Sequence, residues 1–214
     1  MKLSRALASA TIAAMTVGLA GCISVFPKAP PAQLYDFGRF FPPQHAPNAG
    51  APTFNVARSS TAFTRPALGD RILTRNGNQV AYIASSRWVS PAGLLLDEAE
   101  ERAFDADDGP ARLMRRGEMS GAVAELKLEV QTFEARYAGD VKAAPTVVIE
   151  VRATLTAAND RHIIDQKTFI SKQPIADNRV GEIVRGFDAG TVEVLSQVAS
   201  WTDAEAGALT QGQR

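Results

Sequence analysis

Few residues of this sequence have the types and spacing that catalysis requires. The two histidines, His45 and His162, are far apart in the chain, whereas a zinc site needs three or four organised ligands. Ser120 is the fourth rather than the central residue of the segment 117–121, so it does not fit the Gly-x-Ser-x-Gly pattern of a nucleophile elbow. The acidic run 105–108 lacks the alternating ligands and distal glutamate of a calcium loop. We therefore predict turns at 117–121 and 105–108, and no catalytic group, metal site or cofactor.

Cys22 is the only cysteine of the chain, and its surroundings predict a covalent modification. Two positive charges precede an uncharged run at 6–20 that is shorter than a membrane span and typical of an export signal. The segment 19–22, Leu-Ala-Gly-Cys, resembles a bacterial lipobox, whose cysteine is lipidated and becomes the new N-terminus after cleavage. We predict a lipoprotein signal peptide over 1–21 and a lipid on Cys22. The alternative is an ordinary signal peptide followed by an unmodified thiol.

The residues after Cys22 favour the outer membrane over the inner membrane. A single acyl chain anchors a protein only marginally, whereas several chains, as on bacterial lipoproteins, anchor it stably. Ile23 and Ser24 lack the aspartate that resembles an inner-membrane retention signal in enteric bacteria. The sequence therefore predicts a lipid-anchored protein on the periplasmic face of the outer membrane.

Composition places the remainder of the chain among ordinary globular domains. The 214 residues contain 23 Lys and Arg and 23 Asp and Glu. No basic patch or stripe indicates nucleic-acid binding. Seven of the twelve prolines lie between Pro27 and Pro52, which predicts an extended spacer over 22–52, with disorder as the alternative. Within this segment, 34–37 is predicted to form a short strand.

The first half of the expected domain (53–203) contains a strand, a hairpin and a helix. Strand-like residues at 53–58 come first. The runs 71–75 and 79–83 flank an Asn-Gly sequence, which is a strong hairpin signal because both central residues need positive φ. Pro91 then predicts the start of a helix that ends near Phe104.

Alternation dominates the second half of the domain. Apolar residues occupy the even positions 124–130 and then the odd positions 133–137, which predicts a bulge near Thr132. The segments 147–157 and 163–171 predict two further strands. A helix from Asn178 to Trp201 and a mobile tail over 204–214 complete the chain. We predict a single α+β domain in which two main helices pack on a mixed or mostly antiparallel sheet.

Three residues near the hairpin are candidates for binding a partner. Arg71 follows Asp70, with which it is placed to form a surface ion pair. Arg87 and Trp88 are neighbours of types that are enriched in protein interfaces. The alternative for Trp88 is a place in the hydrophobic core, with Arg87 in solvent.

These features together resemble a known family. The lipobox is followed by Tyr35-Asp36-Phe37, by Asp70-Arg71-Ile72-Leu73-Thr74-Arg75, by Val80-Ala81-Tyr82 and by Arg87-Trp88-Val89, with a final helix ending at Trp201. This order is similar to that of the ABC-type transport auxiliary lipoproteins, also called PqiC-like. The family's usual Tyr-x-Leu near the start is Tyr-x-Phe here.

The resemblance implies transport without chemistry. Such lipoproteins look like outer-membrane partners of MCE-domain (mammalian cell entry) proteins and their ABC transporters, which move lipids or other hydrophobic molecules between membranes. The implied role is docking, with the possibility of a homo-oligomer. Two other classes stay open: an envelope assembly or stabilising lipoprotein, such as a pilotin, and a secreted hydrolase. The sequence disfavours the hydrolase because no nucleophile is paired with a base.

Overall fold

A computed structural model describes residues 31–43, 53–115, 118 and 121–212. Several expectations lie outside these residues and concern the signal peptide 1–21, Cys22, most of the spacer 22–52, His45 and Ser120.

Nine strands and two helices make up the described part of the chain. The strands are β1 (Gln33–Tyr35), β2 (Phe54–Arg58), β3 (Ala62–Phe63), β4 (Arg71–Asn76), β5 (Gln79–Trp88), β6 (Ala111–Leu113), β7 (Ala122–Tyr137), β8 (Thr146–Ala157) and β9 (Ile163–Pro174). The helices are α1 (Ala92–Ala106) and α2 (Val180–Gly212). The strands form one mixed sheet, α2 packs on β7 to β9, and α1 packs against α2 and β6. This arrangement confirms the predicted α+β class.

The long strand β7 organises the sheet. One of its edges pairs antiparallel with β8, and its other edge pairs in parallel with β2, β3 and β4 in turn. Leu126 and Leu128 are buried before the register shift, and Phe133 is buried after it. The pairing with β8 shifts between Val130 and Thr132. The bulge that the change in alternation predicts near Thr132 is therefore confirmed.

The strands β8 and β9 continue the sheet as an antiparallel pair. On β8, the odd-numbered side chains from Val147 to Ala157 are buried, while Glu150 and Arg152 on the opposite face are only partly buried. Helix α2 covers the apolar face of this pair. The other face of these strands is polar, as the period of two in the sequence predicts.

Helix α1 begins directly after Pro91, as expected. Its Ala92 N–H donates to Gly69 O, which anchors the first turn to the loop before β4. The helix ends at Ala106, two residues beyond the predicted end near Phe104. Its buried stripe consists of Ala92, Leu95, Leu96, Ala99, Glu100, Ala103 and Phe104.

Helix α2 is longer than the sequence predicts. It continues through Trp201 to Gly212, so most of the segment 204–214 is helical rather than a mobile tail. Ala206 is fully buried, and a Cβ atom at Gly207 would lie 3.7 Å from the Phe54 ring. Packing against the sheet thus continues along α2 into the segment 204–212, although the composition of that segment is polar. Tertiary packing outweighs the local propensity of these residues.

Candidate docking surface

The hairpin of β4 and β5 presents the arginines that the sequence selected. Asn76 pairs with Gln79, which leaves Gly77 and Asn78 as a two-residue loop. Of these two, only Gly77 has a positive φ, of 57°, whereas the sequence interpretation expected positive φ at both central residues. Glycine in the first loop position is the requirement of a type II′ turn. The Asn76 side chain also exchanges two hydrogen bonds with the backbone of Gly139, which fixes the hairpin to the loop after β7.

Arg71 lies on the exposed surface of this hairpin. Its guanidinium is 3.8 Å from the centroid of the Tyr82 ring, and the Tyr82 hydroxyl donates to Pro66 O at 3.1 Å. A cation–π contact at an exposed site contributes about 0.5–1 kcal/mol. The ring therefore orients the guanidinium while leaving it open to solvent.

Arg87 is the direct cross-strand partner of Arg71. Two like charges in opposite positions of a sheet destabilise each other. Asp70 relieves this repulsion because its carboxylate accepts a hydrogen bond from Arg87 at 2.8 Å. The expected ion pair between Asp70 and Arg71 is thus replaced by one between Asp70 and Arg87. We call Asp70, Arg71, Tyr82 and Arg87 the hairpin surface; it carries a net positive charge.

Trp88 does not belong to the hairpin surface. The side chain is 2% exposed and lies at 4.9 Å from Phe37 and 5.3 Å from Phe187, measured between ring centroids. Edge-to-face aromatic pairs of this kind contribute to core packing. Successive residues of a strand point to opposite faces, so Arg87 faces solvent and Trp88 faces the core. The candidate role of Trp88 in partner binding is therefore wrong, and its alternative role as a core anchor is what the structure has.

The chain matches a known protein family over more than half of its length. Residues 65–199 match the family model described as "ABC-type transport auxiliary lipoprotein component". The chain belongs to this family. The match includes the hairpin surface of this auxiliary lipoprotein, the three long antiparallel strands β7, β8 and β9, α1 and most of α2. It confirms the resemblance recognised from the sequence. A search of curated proteins found no match.

Solved structures share the fold of this auxiliary lipoprotein at low sequence identity. The crystal structure of protein XCC0632 from Xanthomonas campestris has a TM-score of 0.72 and 21% identity, over 84% of this chain and 99% of that chain. A crystal structure of an uncharacterized protein has a TM-score of 0.63 and 14% identity, over 80% and 98%. The hypothetical protein CT253 from Chlamydia trachomatis has a TM-score of 0.50 and 11% identity, over 73% and 99%. These likenesses show the fold alone.

The family description identifies an auxiliary transport component and names no reaction. Of the candidate catalytic residues, the structure describes His162, whose Nδ1 lies 2.6 Å from Asp160 Oδ1 in an exposed turn. This hydrogen bond lowers the pKa of the Asp160 carboxyl. In the described residues, no three His, Cys, Asp or Glu side chains converge to hold a metal ion. None of the described helices combines the length and apolarity needed to cross a membrane.

Three described carboxylates of this auxiliary lipoprotein, on Glu100, Asp107 and Glu134, are buried, which was not foreseen from the sequence. Glu134 on β7 accepts hydrogen bonds from Arg75 and Arg136. Glu100 on α1 faces Arg58 of β2, with 3.6 Å between the guanidinium and the carboxylate. Each cluster joins two elements, β4 with β7 at Glu134 and α1 with β2 at Glu100. Their sequence signal is weak, because a glutamate in a helix or strand pattern is normally assigned to the solvent face.

Proposed function

We propose that this protein is an accessory component of an MCE-domain transport system with an ABC transporter, anchored to the outer membrane through a lipid on Cys22. In this role it acts by docking a transport partner rather than by catalysis. The observation that supports the proposal most directly is the match of residues 65–199 to the ABC-type transport auxiliary lipoproteins.

The sequence before the domain is consistent with this role. The lipobox at 19–22 supplies an anchor, and the proline-rich segment 22–52 supplies a spacer that would hold the domain away from the bilayer. An anchored domain at the periplasmic face of the outer membrane is positioned to receive a protein assembly that reaches across the periplasm.

The hairpin surface supplies the docking contact in this proposal. Arg71 and Arg87 lie opposite each other on exposed strands, and Asp70 offsets one of these two charges. Rim charges of this kind accelerate association and select partners of complementary charge more than they raise affinity. We therefore expect the docking face of the transport partner to be acidic.

A cross-linking pull-down from intact envelopes tests the proposal. The lipidated protein is compared with a Cys22→Ala variant that keeps the folded domain but cannot be acylated. We expect an MCE-domain protein or its ABC transporter to be recovered with the wild type and to be lost or reduced with the variant. Recovery of a secretin or a cell-wall protein, without any transport component, would instead support the assembly lipoprotein alternative.

A further inference from the structure

The strand β9 has an open edge in the described structure. It pairs with β8 on one side and with no described strand on the other. Strand edges with free N–H and C=O groups are templates for another extended chain. Lys167 and Lys172 bracket the uncharged middle of this edge, which contains Thr168 and Ile170.

The register of β8 and β9 determines which backbone groups face outward. The Ile175 N–H donates to Pro145 O at 3.0 Å, so this pair and every second pair along the ladder are hydrogen-bonded between the strands. The intervening residues point their N–H and C=O groups away from β8. On β9 these are the even-numbered residues Gln166, Thr168, Ile170 and Lys172. Pro174 occupies the next position of this series, where no inward N–H donor is needed.

A groove adjoins this edge on the helical side of the sheet. The groove, of about 700 Å³, lies between β9 and α2. Phe169 and Trp201 form its aromatic part, with ring centroids 5.8 Å apart, and Lys167 Nζ lies 5.3 Å from the centroid of the Phe169 ring. The helix adds Glu193, Gln197 and Glu205 to the lining. We call this surface the β9 groove.

The charges that line the β9 groove favour a basic ligand. Glu193 and Glu205 from α2 outnumber Lys167 from β9. Asp165, whose carboxylate accepts a hydrogen bond from Trp201 Nε1 at 2.9 Å, adds a further negative charge beside the aromatic pair. An extended chain on the edge would alternate its side chains between the groove and the opposite face of the sheet.

We propose that an extended segment of the transport partner adds to the outer edge of β9. In this complex its backbone pairs with Thr168 and Ile170, an apolar side chain contacts Trp201, and a basic side chain faces Glu193 and Glu205. Strand addition of this kind takes affinity from main-chain hydrogen bonds and specificity from alternate side-chain pockets. The inference rests on the proposed function for the identity of the partner. The β9 groove is thus a second contact, separate from the hairpin surface.

Photo-cross-linking in intact envelopes tests this inference on the full-length lipoprotein. A photoreactive residue replaces Gln197, which is exposed in the β9 groove, or Val80, which is exposed on the edge of the hairpin. Each is combined with Thr168→Pro, which removes an outward N–H donor, or with the matched control Thr168→Ala. Because proline can perturb a strand, Ala204→Trp is tested in parallel; it fills the groove from an exposed position on α2 and leaves the sheet unchanged.

We expect the Gln197 position to cross-link to an MCE-domain or ABC transporter component. Thr168→Pro and Ala204→Trp should each reduce this product by about tenfold or more, the effect of losing roughly 1.4 kcal/mol, whereas Thr168→Ala should leave it unchanged. Equal yields in all variants, a product from Val80 alone, or a product with a second copy of this chain would overturn the β9 proposal. If the pull-down of the preceding section still recovers the partner, the proposed function stands without it. If no transport component is recovered by either method, both proposals are wrong.

Discussion

Glu134 and Glu100 are both hidden from solvent, but the protein compensates for their burial in different ways. Glu134 Oε1 and Oε2 accept four hydrogen bonds of 2.8 to 3.0 Å from Arg75 and Arg136. Glu100 lies 3.6 Å from Arg58, and neither of its oxygens accepts a hydrogen bond from a described residue. A buried carboxylate that hydrogen bonds do not satisfy is strongly destabilised in its charged form. Two carboxyl groups that are buried to a similar extent therefore differ in whether hydrogen bonds replace the water that they lose.

Loss of hydration raises the pKa of Glu100 to about 8. The Arg58 charge lowers this pKa, while Asp97 and Glu101 raise it. The Glu100 carboxyl therefore binds and releases a proton in the pH range in which an envelope protein functions. Glu134 acts as an ionic connection between β4 and β7, whereas Glu100 makes the contact of α1 with β2 sensitive to pH.

Removal of Arg58 should have the largest effect on stability. The Arg58 side chain is 6% exposed and is the cation shared by Asp97, Glu100 and Glu101. Arg58→Ala removes the buried cation of this cluster together with its hydrogen bonds to Asp97 O and Glu101 Oε1, and breaking a buried ionic cluster costs about 3–5 kcal/mol. Urea denaturation at pH 7 measures the loss. Arg39→Ala, at a 74% exposed side chain paired with Asp36, is the control and should change stability by no more than about 0.5 kcal/mol. A similar loss for both variants would show that the buried cluster contributes no more to stability than an exposed ion pair.

Removal of Glu134 should have a smaller effect than removal of Arg58. Glu134→Ala leaves Arg75 and Arg136 without their partner, but these side chains are 35% and 47% exposed and can be rehydrated. We expect a loss of about 2 kcal/mol, from the hydrogen bonds to a charged group. The same urea titration ranks the two variants. A loss larger than that of Arg58→Ala would contradict this ranking. It would mean that the hydrogen-bonded Glu134 cluster contributes more to stability than the Arg58 cluster.

The sequence predicted the architecture better than these ionic contacts. Alternation along β7 and β8 reports directly on which face of a strand is buried, so the strands and the bulge near Thr132 could be predicted. The residue types of Arg87 and Trp88, both enriched in protein interfaces, did not decide whether Trp88 binds a partner or fills the core. Arg58 and Glu100 are brought together only by the tertiary fold, and no local pattern distinguishes Glu100 from a solvent-exposed glutamate. The end of α2 was missed because Ala206 contacts residues remote in sequence.

Because Glu100 keeps its proton in the folded protein, we expect its contribution to the free energy of unfolding to depend on pH. The pKa of this group is 4.5 in ordinary surroundings and about 8 in the folded protein. Between these values the folded state retains a proton that the unfolded state has released. The contribution is therefore fully present below pH 4.5 and is lost as the pH rises through 8. Glu100→Gln replaces the protonated carboxyl with a neutral amide and should remove this term.

Urea denaturation of Glu100→Gln at pH 7 and at pH 8.5 measures the difference. Relative to the wild type, we expect the variant to gain on the order of 1–2 kcal/mol between these two pH values. Glu98→Gln is the matched control on the same helix, because the Glu98 side chain is 56% exposed. A wild type whose stability relative to Glu100→Gln is constant across this range would mean that Glu100 is charged in the folded protein.

The Arg87–Asp70 pair extends the comparison to a carboxylate on the exposed surface. The Arg87 and Asp70 side chains are 48% and 45% exposed, so Arg87→Ala should reduce stability by no more than about 1 kcal/mol. Its effect should appear instead in partner association, because the variant removes positive charge from the hairpin surface. The control is Arg179→Ala, which breaks the similarly exposed pair of Arg179 with Asp177 outside that surface. We expect the pull-down to weaken with Arg87→Ala alone, and more strongly at low salt, where surface charges are less screened. Equal recovery with both variants would assign docking to another surface and leave Arg87 with only its weak ionic contact.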